Sequence, residues 1–154
     1  LDETQKLPES LLNQMIAAQE FNMAYLYTRQ LLFATLDMTY HSTDGAVDVT
    51  AVFDSLHKEL IGVDSIPGGH FAASFGHLMG GYDAGYYGYL WSEVYATDMF
   101  TKFAEHGLLD EKTGSEYRKI ILERGNSSDA LDLLTEFLGR APNTDAFFKK
   151  LHIE

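Results

Sequence analysis

At 154 residues, with 45% hydrophobic and 13% aromatic content, the chain has the material for one globular domain and is excluded from the intrinsically disordered class. Its net charge of −12 is spread along helical segments, which argues against nucleic acid as a partner, since phosphate affinity needs a cationic stripe, while neutral or cationic peptides meet no such repulsion. The absence of cysteine rules out disulfides, Cys-ligated zinc and a thiol nucleophile.

The sequence opens on Leu1 rather than Met, which sets the expectation of a processed product, a proteolytic fragment or a trimmed piece of a longer protein. Pro8, Glu9 and Ser10 read as a helix start. Apolar residues then recur at Leu11, Met15, Ala18, Phe21, Tyr25, Tyr27, Leu31, Leu32, Ala34 and Leu36, a pattern dominated by steps of three and four, and no Pro or Gly intervenes, so it predicts one long helix from about Glu9 to Tyr40. Its longest apolar stretch, Leu31–Leu36, is far short of the ~20 residues of a membrane span, and no membrane partner is expected. A loop over 41–45 leads to Asp48-Val49-Thr50, which opens a second helix running through Phe53, Leu56 and Leu60 to Ile61. Val63 to Met79 has no helical period and reads as a loop or a short β-hairpin. Helical periodicity resumes from Ala84 and ends near Gly107. Further helices are expected at Glu111–Arg124, Ser128–Leu138 and Thr144–Leu151. The expected fold is all-α, with one irregular glycine- and tyrosine-rich loop at its middle.

That loop, Phe75 to Trp91, holds glycines at 76, 80, 81, 85 and 88. Each disfavours a helix by about 0.5–1 kcal/mol relative to Ala, a cost that close backbone approach to a ligand, or hinge motion, would account for. Tyr82, Tyr86 and Tyr89 are spaced by four and three, so on a helical backbone their hydroxyls would point to one side. Neutral donors on rigid stems suit an oxyanion, with His77 as a further donor. Spacing alone nevertheless favours an ordinary aromatic core for the tyrosines and a structural role for His77.

Phe75-Gly76-His77, Gly80-Gly81-Tyr82, the run from Tyr86 to Val94, and Phe137-Leu138-Gly139-Arg140-Ala141-Pro142 together resemble the C-terminal part of the catalytic domain of the thimet oligopeptidase and neurolysin family of zinc metallopeptidases. The likeness is strong from about Pro67 onward and weaker over Leu7–Ser42, and Gly68 to Ser74 departs from the family pattern. It implies that residues 1–154 form a single domain, the C-terminal portion of a larger catalytic domain, and that the glycine-rich loop borders a substrate channel. Residue by residue, Tyr89 matches the tyrosine that hydrogen-bonds the tetrahedral oxyanion, Tyr82 a second substrate or transition-state contact, and His77 a contact to the substrate backbone. Tyr86 matches a further loop tyrosine, and Gly80 and Gly81 complete the substrate-binding loop.

A zinc peptidase of this type needs H-E-x-x-H and a downstream carboxylate, and neither that motif nor its inverse occurs here. The resemblance therefore implies zinc in the intact parent, with ligands outside this chain and none expected within it. The reading is a C-terminal fragment of a zinc-dependent oligopeptidase, inactive alone, with short peptides and the N-terminal remainder of the parent as partners and self-association open to the isolated piece. It implies the cytoplasm, with a mitochondrial parent as the alternative compartment. A non-catalytic helical module that binds peptides or a partner protein is the competing function.

Overall fold

The computed structural model describes residues 6–153, and helices account for all the regular structure among them. The expected all-α class is what the structure shows. The chain packs as two compact units, one running to Tyr86 and the other starting at Tyr87.

In the first unit, α1 (Glu9–Glu20) and α2 (Met23–Ser42) replace the single long helix expected over this stretch. The break lies at Phe21 and Asn22, and Asn22 adopts the left-handed conformation at φ 63°, ψ 13°. Asn tolerates that region better than most residues, so the chain turns here without Gly or Pro. The Asp48 side chain accepts the N–H groups of Thr50 and Ala51, which starts α3 (Val49–Ile61) where its capping pattern predicts. Tyr40 Oη donates to the Val49 carbonyl at 2.7 Å and ties the end of α2 to the start of α3. The stretch expected as a loop or hairpin beyond Val63 is a loop as far as His70, and no strand pairing occurs among the described residues. The stretch then holds a short helix, α4 (Phe71–Ser74), and a 3-10 turn, Gly76–Met79, whose backbone groups bond locally.

Leu32, Phe33 and Leu36 on α2 form the centre of this unit's core with Phe75, Leu78 and Tyr86, and Phe53, Leu56 and Phe71 pack against them. The Phe71 ring stacks on Phe53 at 4.5 Å and on Phe33 at 5.1 Å. By contrast, α1 buries none of its residues, and Leu11, Leu12, Met15 and Ile16 are all exposed.

The second unit begins with α5 (Gly88–His106), closed by Gly107 as its sequence predicts. It continues through α6 (Glu111–Tyr117), a π-turn over Arg118–Leu122, α7 (Ala130–Leu138) and α8 (Asp145–Lys150). Phe137 on α7 is fully buried, with the rings of Tyr117 and Phe103 at 5.7 and 6.1 Å. Lys102 Nζ lies 4.6 Å above the Phe137 ring and donates to the Phe137 carbonyl and to Glu116. Asp98 on α5, 1% exposed, accepts both terminal nitrogens of Arg140 and the backbone N–H of Asn143. That clasp fixes the break between α7 and α8.

Candidate functional site

Three of the residues singled out by the sequence gather in the first unit. Phe75 and Leu78 are buried, so the 3-10 turn between them is pinned to the core at both ends. His77 projects from that turn, and its ring meets Tyr86 edge-on at 5.0 Å and Tyr82 edge-on at 6.0 Å. Phe75 lies 5.4 Å from His77 on another side. Edge-to-face contacts of this kind hold ring orientation as well as burying area.

The two tyrosines play different parts. Tyr86 is 8% exposed and belongs to the core, edge-on to both Phe33 and Phe75. Burial raises its pKa, while the nearby Arg29 charge and a hydrogen bond with Gln30 oppose that shift. Tyr82, at 43% exposure, stands on the open side of the cluster. Between the buried Leu78 and Tyr82 the chain passes through Met79, 93% exposed, then Gly80 and Gly81. Both glycines have a local reason to be there. A Cβ on Gly80 would come within 2.9 Å of the Gly76 carbonyl oxygen, and Gly81 sits at φ +82°.

Residues 83–87 form turns, and α5 starts at Gly88 rather than at Ala84. Ala84 itself is at φ +55°, outside the helical region. The shared helical face expected for Tyr82, Tyr86 and Tyr89 therefore does not form, because only Tyr89 lies on the helix. It occupies the first turn of α5, in the second unit, and is 42% exposed.

The turn at Ala84 has a cause that the sequence reading did not single out. Asp37, 0% exposed on α2, accepts the Ala84 N–H on Oδ1 and the Tyr86 N–H on Oδ2, both at 2.9 Å. His41 Nδ1 lies 3.0 Å from Asp37 Oδ1 and 2.8 Å from the Asp37 carbonyl oxygen, one turn further along the helix. The signal was present in the sequence: Asp37 follows Phe33 by four residues and precedes Tyr40 by three, which puts a carboxylate on the apolar face of α2.

Among the described residues the side chains do not fit a zinc site. The chain lacks H-E-x-x-H, and among the described residues no group of three or more His, Cys, Asp or Glu is placed to hold a metal ion. His57 Nδ1 is hydrogen-bonded to the Val63 carbonyl and His106 Nδ1 to that of Lys102, as suits structural histidines. Among the described residues no helix is long and apolar enough to cross a membrane.

Residues 2–153 match the family described as Peptidase family M3. Saccharolysin of Saccharomyces cerevisiae is 42% identical over 157 residues, covering 97% of this chain and 22% of that protein. The Thimet-like oligopeptidase of Dictyostelium discoideum is 38% identical, covering 97% and 23%, and oligopeptidase A of Escherichia coli is 36% identical, covering 96% and 22%. The chain thus spans between a fifth and a quarter of the length of these relatives.

Proposed function

Because the chain belongs to peptidase family M3, we propose that it forms the C-terminal part of the catalytic domain of a zinc-dependent oligopeptidase that hydrolyses short peptides. The observation that carries this reading is the His77, Tyr82 and Tyr86 cluster, built on a glycine turn, in a chain that matches the family along its length. Zinc belongs to the longer protein in this reading, held by ligands in its N-terminal remainder, and the chain alone cleaves nothing.

The chain's part is to grip and orient. Tyr82 and His77 present hydrogen-bonding groups to an extended peptide, and Gly80 and Gly81 let its backbone come close. Tyr86 works from the core, as the wall that holds the His77 ring in place. Tyr89 donates its hydroxyl hydrogen to the oxygen that becomes negative when the peptide carbonyl is attacked. One such donor is worth about 2.7–4 kcal/mol in the transition state.

Short peptides and the N-terminal remainder are the partners in this reading. The bare face of α1, with Leu11, Leu12, Met15 and Ile16 exposed, suits cover by the rest of the protein, and in the isolated piece it suits self-association. The cytoplasm is the compartment, with a mitochondrial parent as the alternative.

The longer reading frame supplies the test. It is expected to encode H-E-x-x-H ahead of Leu1, and its product to cleave short peptides that the 154-residue piece leaves intact. A frame without that motif, together with peptide binding by the piece alone, would instead favour a non-catalytic binding module.

A further inference from the structure

We infer that Asp37 is a positioning residue for the peptide-gripping loop, acting through the backbone of Ala84 and Tyr86 and never through substrate; the inference rests on the peptidase reading above. Residues 79–83 form an arch between two fixed ends. At one end Leu78 is buried in the core. At the other there is no apolar anchor at Ala84 itself, which is exposed and held at φ +55°, a conformation that L side chains rarely adopt.

The Asp37 carboxylate supplies what that end needs. Its two oxygens take the N–H groups of Ala84 and Tyr86, one each, at 2.9 Å, and so span the strained residue from both sides. His41 Nδ1 lies 3.0 Å from Oδ1 and is hydrogen-bonded to the Asp37 backbone carbonyl at 2.8 Å, which packs the imidazole against the carboxylate. Both bonds are made to a fully buried side chain, so losing them leaves its two oxygens unpaired in the core. The fixed point lies two residues after Tyr82 and leads straight into Tyr86, against which His77 rests. The position of both proposed substrate contacts in this unit, His77 and Tyr82, therefore depends on a side chain 40 and 45 residues earlier in the sequence.

Asp37→Asn isolates this role. The amide keeps the shape, but it offers one acceptor oxygen where two N–H groups now bond, and its NH2 faces the other donor. In the whole protein that carries this chain, hydrogen exchange followed by mass spectrometry or NMR reads the tether directly. The Ala84 and Tyr86 amides of the unmodified protein are expected to be protected while that of Gly81 exchanges quickly. In Asp37→Asn, exchange should accelerate over residues 79–86 and stay slow within α3. Peptide hydrolysis, measured well below the unfolding temperature, should show kcat lowered at least about tenfold with KM within a factor of about two.

Unprotected Ala84 and Tyr86 amides in the unmodified protein would remove the tether, and this arm needs no variant to fold. Accelerated exchange with unchanged kcat would leave Asp37 a structural residue only and overturn the inference. An unmodified protein that hydrolyses no peptide would overturn the peptidase reading and the catalytic half of this inference with it, while the exchange pattern would separately report whether the tether exists.

Discussion

In Asp98→Asn the new amide nitrogen must face one of three donors that the carboxylate now accepts: Arg140 Nη1 at 2.9 Å, Arg140 Nη2 at 2.5 Å and Asn143 N at 2.9 Å. A hydrogen bond to a charged group contributes about 1.5–3 kcal/mol, and breaking a buried ion pair from one side costs roughly 3–5 kcal/mol. The Arg140 side chain is 42% exposed, so water takes up part of the released guanidinium and the lower end applies, about 2–3 kcal/mol. At roughly 2–4 °C per kcal/mol for a chain of this size, unfolding should come roughly 4–12 °C earlier. Trp91, the chain's one tryptophan, lies in the second unit, so its fluorescence follows the unfolding of the part that the clasp holds. The pH dependence gives a second handle. Arg140's hydrogen bonds, then the Asn143 N–H and the Arg140 charge, hold the Asp98 carboxyl below its ordinary value against the opposing effect of burial. A depressed native pKa stabilises fully above the unfolded value of about 3.9, and that stabilisation is lost as pH falls through the native one. The gap between the unmodified chain and Asp98→Asn should stay level from about pH 7 to 5 and narrow below about pH 4. Equal transitions at neutral pH, or a gap undiminished in acid, would refute the clasp.

Two further stability changes follow from single contacts. Asp48→Ala removes the acceptor for the Thr50 and Ala51 N–H groups and should cost about 1 kcal/mol, seen by circular dichroism as a small shift in the first unit's transition. Phe137→Ala empties the centre of the second unit, between Phe103, Tyr117 and the Lys102 ammonium, and should cost about 3–5 kcal/mol in denaturant titrations followed at Trp91.

Local signals in the sequence were read well where local physics decides the structure. The Asp48 cap and the Gly107 stop are of this kind, since each acts within one turn of its own helix. The break at Asn22 was not legible, because Asn is an acceptable helix residue and only its left-handed backbone in the folded chain separates α1 from α2 there. Ala84 is the sharper case. Nothing about alanine announces φ +55°, and the carboxylate that holds it comes from another helix. The helical spacing of Tyr82, Tyr86 and Tyr89 was real in the sequence, but the turn at Ala84 takes Tyr82 and Tyr86 off the helix. Tyr86 fits the ordinary core reading by burial, while Tyr82 stays at the surface beside His77. Asp37 and Asp98 share an overlooked signal: each follows a buried apolar residue, Phe33 or Val94, by four positions, so each carboxylate lies on a buried helix face.

Tyr89→Phe in the whole protein is the most direct test of the proposed role, because it removes one hydroxyl from an exposed position on the first turn of α5 and leaves the ring in place. Steady-state hydrolysis of a short peptide should show kcat reduced roughly 10²–10³-fold with KM little changed, the signature of a donor used mainly in the transition state. A kcat equal to that of the unmodified protein would take Tyr89 out of the mechanism and contradict the account.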